Sequence, residues 1–311
     1  GSSLSKKVLY SFFTSLVQNK LQTVFIFSGI SVTPSGSFVS GLSIKLPDSS
    51  SSNGFKTYLV DISEGLLHNA MSNIESNLSK QLSKGSISED QKNICLNNIT
   101  TTTLINDIVD TDLVIEAIPE NQKIKENIFR ELDEKCKDST ILASNTSSIS
   151  ITELSNVTNR IDKVIGMHFM NPVPIMKLVE VISTKETSDL TKVLILEIVR
   201  SLNKIPVECN DFPGFVSNRI LMPMINEAIY CLEQGVATKE AIDEIMVLGM
   251  AHPMGPLKLA DLIGLDVCLN IMEVLLGGFN DDKYKASNLL IQMVEEGNLG
   301  RKSGQGFYKY I

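Results

Sequence analysis

From Lys56 to about Asn210 the chain alternates short β-branched or aliphatic runs with stretches of helical apolar spacing, and this alternation restricts the fold more than any other feature. Thr57-Tyr58-Leu59-Val60 ends in Asp61 and reads as a strand. Leu66, Ala70, Ile74, Leu78 and Leu82 then recur every fourth residue, as on one face of a long helix. Asp112 to Ile118 reads as a buried strand, Ile124, Ile128 and Leu132 mark a helix, and Thr140 to Ala143 another strand. Ser150 and Glu153 have the spacing of a capping box. Lys163 to Met167 and Lys177 to Ile182 are two further strands, the second followed by a helix through Leu194, Ile198 and Leu202. Strands alternating with helices pair mostly in parallel, because each crossover helix returns the chain to the end of the sheet from which the previous strand started. The expected fold is therefore α/β and doubly wound, with helices on both faces of a mostly parallel sheet. After about Asn210 the pattern changes: Pro213-Gly214-Phe215 leads into helical runs over 215–233, 239–248 and 264–276 with no convincing strand, so an all-α domain follows.

The length of 311 residues suits two domains, each with its own core. With 43% hydrophobic residues and no apolar run near the roughly 18 residues of a membrane helix, no membrane span is expected. A net charge of −8 argues against nucleic acid as a partner, since phosphate neutralisation needs clustered Lys and Arg. The five cysteines are scattered without a CxxC pair, which points to no disulfide framework, no metal site and a reducing compartment. The first 47 residues hold Lys6, Lys7, Lys20 and Lys45 but no Asp or Glu and are rich in Ser. That asymmetry is similar to an organellar transit segment, placing the chain in the mitochondrial matrix. The lack of Arg leaves a chance bias, and a cytoplasmic location, as the alternative.

His168 follows a strand, precedes Asn171-Pro172-Val173-Pro174, and has Glu180 twelve residues on, inside the next strand. Strand ends of a doubly wound sheet open onto the ligand crevice. An imidazole with an ordinary pKa of about 6.5 can take a hydroxyl proton near neutrality, and a carboxylate can orient it. By itself a histidine beside a strand is more often a hydrogen-bonded structural residue. His68, on the helix after Asp61, reads as a surface residue, and His252, before Pro253, as a turn residue.

Five segments decide between these readings. Gly166-Met167-His168-Phe169-Met170-Asn171-Pro172-Val173-Pro174-Ile175-Met176-Lys177-Leu178-Val179-Glu180-Val181-Ile182 closely resembles the signature of the (S)-3-hydroxyacyl-CoA dehydrogenases. So, in the same order as in that family, do Ala143-Ser144-Asn145-Thr146-Ser147-Ser148, Pro213-Gly214-Phe215-Val216-Ser217-Asn218-Arg219, His252-Pro253-Met254-Gly255-Pro256, and Gly300-Arg301-Lys302-Ser303-Gly304-Gln305-Gly306-Phe307-Tyr308. The resemblance covers about Gly54 to the C-terminus. It implies a Rossmann-type sheet and oxidation of a 3-hydroxyacyl-CoA thioester with NAD. His168 would be the general base and Glu180 its orienting carboxylate, with Ser147, Asn171 and Asn218 hydrogen-bonding substrate and cofactor. Glu120 and Lys125 would lie against the cofactor and Lys84 near the coenzyme A moiety. For Lys125 a solvated helix charge is an equal alternative, and Lys84 in its Ser-rich turn is more simply solvated. Asp61, ending the second strand of such a fold, would bind the adenosine ribose and repel a 2′-phosphate, which favours NAD over NADP. The implied organisation is an extension over 1–22, a dinucleotide-binding domain over 23–209 that is atypical over 23–53, and a helical substrate-binding and dimerisation domain over 210–311 forming a homodimer.

One part departs from the family. No GxGxxG occurs anywhere in the chain. The best local match takes Ile30-Ser31-Val32-Thr33 as the end of the first strand and Pro34-Ser35-Gly36-Ser37-Phe38-Val39 as the fingerprint, leaving Gly36 to approach the cofactor pyrophosphate. Pro34 removes an N–H donor and Val39 adds bulk where the helix must pack closely. An upstream strand, Thr23 to Gly29, is the other option. Either the first 53 residues are not a faithful translation of a family member, or the chain has lost its phosphate loop and is catalytically impaired. The abrupt boundary near Gly54 favours the first, since gradual decay would also have touched the catalytic motifs.

Overall fold

The computed structural model describes residues 22–27, 55–171, 173 and 175–310. These fall into two compact units that divide between Asp211 and Phe212.

In the first unit eight strands form one sheet in the order β3-β2-β1-β4-β5-β6-β7-β8. β1 (Gln22–Phe27), β2 (Lys56–Val60), β3 (Ile99–Thr102), β4 (Leu113–Ala117), β5 (Ile141–Ser144) and β6 (Val164–Phe169) are parallel. β7 (Leu178–Ser183) runs antiparallel to β6, and β8 (Ile205–Asn210) runs parallel to β7. This is the doubly wound, mostly parallel Rossmann-type sheet expected from the sequence. The strand order turns at β1, where Ile26 is registered with Val60 on one side and Glu116 on the other. A ligand crevice opens at such a switch point, beyond the carboxyl ends of the strands.

The central strand comes from the upstream run, not from the favoured segment ending at Thr33. Residues 22–27 form six consecutive strand positions with Thr23, Val24, Phe25, Ile26 and Phe27, whereas Ile30 to Thr33 is a run of four stopped by Pro34, which cannot donate to a ladder. The proposed fingerprint from Pro34 to Val39, with Gly36, lies outside the described residues.

Helices cover the sheet, which is why β5 and β6 are buried along their whole length and read as continuous apolar runs. α1 (Glu64–Ser83) begins where the Ser63 side chain accepts the Leu66 N–H. α2 (Glu89–Asn97) opens with a reciprocal capping box between Ser88 and Gln91, which the sequence reading missed. α3 (Gln122–Lys135) is capped by Asn121, and α5 (Asp189–Ser201) by Ser188. Between them α4 (Ile151–Asn156) starts at Ser150, whose hydroxyl accepts from Glu153 N–H and donates to Asp211. The core joins Leu113, Ile115, Ile165, Met167, Val179 and Val181 of the strands to Leu67, Ile195 and Val199 of the helices. β3 and β8 also escaped the sequence reading. They are the two edges of the sheet, and the exposed polar residues Thr100, Thr101 and Glu208, together with Pro206, mask the apolar signal.

The second unit is helical: α6 (Ser217–Glu233), α7 (Lys239–Met250), α8 (Pro256–Ile263), α9 (Leu265–Phe279) and α10 (Asn288–Glu295). Its core includes Met222, Ile229, Leu257, Leu265, Leu275 and Leu290. Two buried carboxylates organise it. Asp243 accepts the N–H groups of Leu257 and Lys258 at the start of α8, and the Tyr308 hydroxyl. Asp261 accepts the N–H groups of Phe307 and Tyr308 and the Tyr310 hydroxyl. The His252 to Pro256 and Gly300 to Tyr308 motifs thus serve packing in this unit: a Cβ on Gly255 would sit 2.3 Å from the Asp243 side chain, and one on Gly306 1.9 Å from Asp261 Oδ1. Among the described residues no helix is long and apolar enough to cross a membrane.

Candidate active site

The two strands that carry His168 and Glu180 are antiparallel neighbours, and the two residues are direct partners in the ladder. Their side chains therefore leave the same face of the sheet side by side, with Nδ1 of His168 2.8 Å from Oε2 of Glu180. Both are buried, at 7% and 4% exposure. An ionised carboxylate only accepts, so Nδ1 carries the proton that is shared with Glu180, and in the neutral ring Nε2 is the lone-pair nitrogen. Such a pair can receive a proton at Nε2 while the carboxylate stabilises the resulting imidazolium. The Asn145 side chain, at the end of β5, accepts the Phe169 N–H at 2.9 Å and ties the residue after His168 to the neighbouring strand.

A second cluster lies at the carboxyl ends of β4 and β5. Glu116 is fully buried inside an otherwise apolar strand. Its carboxylate accepts the Lys125 ammonium (2.6 Å), the Ser144 hydroxyl (2.6 Å) and the Ile118 N–H (2.6 Å). The Lys125 ammonium also donates to the Ile118 carbonyl at 2.8 Å and approaches Glu120 Oε2 at 3.5 Å. Lys125 is 1% exposed, so the solvated-charge reading of this residue is overturned: it shares the buried face of α3 with Phe129 and Leu132, one and two turns on. Glu120 Oε1 in turn accepts the Thr146 hydroxyl, the Ser147 and Ser148 N–H groups and the Ser148 hydroxyl at 2.5 to 3.0 Å. Burial disfavours the Glu120 charge, but Lys125 and these hydrogen bonds outweigh it and hold the carboxyl below its ordinary range. The structure thus brings Glu120, Lys125 and Ser147 into one network. Glu116, Ser144, Thr146 and Ser148 belong to the same network and were not singled out from the sequence, although a glutamate within a buried strand run is a signal available there.

The remaining candidates have the following positions in the fold. Asp61, 8% exposed, immediately follows β2 and accepts the Ile62 N–H at 2.6 Å. Asn171 is exposed in the connection between β6 and β7. Lys84 is an exposed residue at the C-cap of α1. Asn218 is buried in the first turn of α6, in the helical unit, placed by a turn in which Gly214 and Phe215 both have positive φ. His68 is exposed on α1, and the His252 N–H closes the end of α7 on Met246. Among the described residues no group of three His, Cys, Asp or Glu side chains is arranged for a metal ion.

A doubly wound sheet with a carboxylate after its second strand and a His–Glu pair beyond the switch point defines a nucleotide-dependent oxidoreductase of the dehydrogenase class. Residues 43–212 match the family model described as 3-hydroxyacyl-CoA dehydrogenase, NAD binding domain, and residues 214–310 match its C-terminal domain. The chain is 55% identical over 258 residues to a probable 3-hydroxybutyryl-CoA dehydrogenase of Deinococcus radiodurans, covering 83% of this chain and 92% of that one. It is 42% identical over 268 residues to the mitochondrial hydroxyacyl-coenzyme A dehydrogenase of Homo sapiens, covering 83% and 84%. Among solved structures, the (S)-3-hydroxybutyryl-CoA dehydrogenase from Ralstonia eutropha has a TM-score of 0.85 at 42% identity, covering 94% of this chain and 100% of that one. The chain belongs to the 3-hydroxyacyl-CoA dehydrogenase family, and its first unit is that family's NAD-binding domain.

Proposed function

We propose that the protein oxidises (S)-3-hydroxyacyl-CoA thioesters to 3-oxoacyl-CoA, in fatty-acid β-oxidation or butanoate metabolism. The observation that carries this reading is the buried 2.8 Å contact between His168 and Glu180 in a chain of this family. His168 Nε2 takes the proton of the 3-hydroxyl, and Glu180 holds the ring and stabilises its charge. NAD, when bound, supplies the hydride acceptor. The residues present fit it: Asp61, buried after β2, suits the two ribose hydroxyls and disfavours a 2′-phosphate, while Glu120 and Asn171 lie beyond the carboxyl ends of β4 and β6. In this reading Lys125 acts on the cofactor site chiefly by holding Glu120. Ser147 and Asn218 hydrogen-bond the substrate, and Lys84 meets the coenzyme A moiety. The test is turnover of (S)-3-hydroxybutyryl-CoA followed by NADH absorbance. Loss of activity in His168→Gln with an unchanged circular dichroism spectrum supports the assignment, and full activity of that variant excludes the mechanism.

A second reading, an impaired enzyme that keeps the fold, is favoured by one observation: no GxGxxG stands between β1 and β2. Calorimetric titration with NADH separates the two, because tight binding by this chain rules out a lost phosphate site. We further propose a homodimer formed through the helical unit, on whose surface Ile220, Leu248 and Met250 are more than 60% exposed. Light scattering gives the mass that decides it. The mitochondrial matrix, with the cytoplasm as alternative, is supported by the mitochondrial relatives and the acid-free first 47 residues. Import of the full chain into isolated mitochondria tests it.

A further inference from the structure

The strands that present His168 and Glu180 are joined by Met170-Asn171-Pro172-Val173-Pro174-Ile175-Met176-Lys177. Two prolines remove two N–H donors from this short connection, so it has little capacity to organise itself by internal hydrogen bonds. Among its described residues Val173 is buried, at 8% exposure, while Ile175 and Met176 are 74% and 41% exposed. Lys204 adds two hydrogen bonds to it. Its ammonium donates to the carbonyl of Val173 at 2.7 Å and to that of Met176 at 2.8 Å, bridging the two ends of the Val173 to Met176 turn.

Lys204 is itself set in rigid surroundings. It follows the C-cap of α5 at Leu202 and the left-handed residue Asn203 (φ 58°), its own N–H returns to Val199 in α5, and the next N–H, of Ile205, bonds Lys177 where β8 joins β7. The backbone that carries the ammonium is thus fixed by a helix on one side and a strand on the other, and it reaches the middle of the segment whose end is held at Lys177. Burial pulls the Lys204 ammonium below its ordinary value, the cost of taking a charge partly out of water to serve two carbonyls.

We propose that Lys204 is a positioning residue: by clamping the Val173 and Met176 carbonyls it sets the conformation of the connection that carries Asn171, and so the placement of the Asn171 amide against the cofactor. The proposal rests on the assignment of Asn171 to cofactor contact, and the experiment separates the two.

Lys204→Met, Lys204→Arg, Asn171→Ala and the double variant Lys204→Met/Asn171→Ala are compared in the full chain by amide hydrogen exchange and by steady-state kinetics. In Lys204→Met, exchange over 173–177 accelerates while exchange over 164–169 does not. The KM for NAD rises and kcat falls about tenfold, the scale expected for a slightly misplaced contact. Lys204→Arg restores most of both. In the Asn171→Ala background the Lys204→Met change has no further kinetic effect, because the group being positioned is gone. A purely structural lysine lowers the melting temperature but leaves KM unmoved, or adds its effect equally to both backgrounds, and either result overturns the proposal. Unchanged exchange over 173–177 in Lys204→Met overturns it without reference to activity. If Asn171→Ala alone matches the parent, the assignment of Asn171 fails first. If that variant is impaired and Lys204→Met is not, the assignment stands and the role of Lys204 falls.

Discussion

His168 and Glu180 are hydrogen-bonded at 2.8 Å because they are opposite each other across the one antiparallel pair, β6 with β7, in a sheet whose other neighbours run parallel. Opposite residues on such a pair project to the same face, so the ladder itself aims the carboxylate at Nδ1. Glu180→Gln keeps the shape but replaces the accepting carboxylate by an amide that no longer stabilises an imidazolium. We expect kcat to fall by about 10²- to 10⁴-fold with circular dichroism unchanged. The double variant with His168→Gln should be no slower than His168→Gln alone, since the two residues act as a unit. Additive losses would show that Glu180 acts independently of the ring.

Lys125 and Glu116 form a buried ion pair with 1% and 0% side-chain exposure. Removing one partner leaves the other as an uncompensated buried charge, a loss that generally costs about 3–5 kcal/mol. Lys125→Met should lower stability by that order in urea unfolding, and adding Glu116→Gln should recover part of it. A cost below about 1 kcal/mol would place the pair with exposed ion pairs instead.

Arg160 and Asp133 tie the end of α3 to the segment before β6. The guanidinium donates to Asp133 Oδ1 and to the carbonyls of Asp133, Cys136 and Lys137 at 2.7 to 3.0 Å. Burial disfavours the Asp133 charge, but the Asn159 N–H, the Arg160 guanidinium and the Asn159 amide together hold its carboxyl below the ordinary 3.8. A carboxyl depressed by folding contributes stability that is fully present above its unfolded value and is lost as pH falls through the lower folded value. Stability between neutrality and about pH 3 should therefore fall less steeply in Asp133→Asn than in the parent, measured by urea midpoints at each pH. Parallel pH profiles would contradict this.

Gly306 stands against Asp261 so closely that a Cβ would lie 1.9 Å from Oδ1, and the contact cannot relax without breaking the bonds from Phe307, Tyr308 and Tyr310. Gly306→Ala should destabilise the helical unit by about 1–3 kcal/mol or more, as overpacking does. The equivalent change at Gly65, in the first turn of α1 with nothing within 4 Å of an added Cβ, should be silent or slightly stabilising because alanine has the higher helix propensity. Differential scanning calorimetry compares the two, and equal melting temperatures would refute the argument.

Much of the fold was legible because buried strands and one-sided helices leave periodic apolar traces. Leu113, Val114 and Ile115, or Ile165 and Met167, announce their strands wherever they lie in the chain. Edge strands leave a weaker trace, and β3 and β8 passed unnoticed for that reason. The segments around His168, Ser147 and Asn218 were conspicuous as motifs, whereas Glu116 drew no notice and Lys125 stood equally as a cofactor contact and as a solvated charge, since nothing local says that a lysine ammonium will be taken out of water.

The sequence by itself determined the alternation of elements, the change to a helical pattern near Asn210, and the residue types available at the strand ends, all of which depend on near neighbours. Only the tertiary structure decided which N-terminal run enters the sheet, that β7 turns against β6, and that Lys125 lies between Glu116 and Glu120. Strand direction, register and the solvation of a charge are set by groups far away in the chain. Periodicity records which side of an element is buried, but not what lies opposite it.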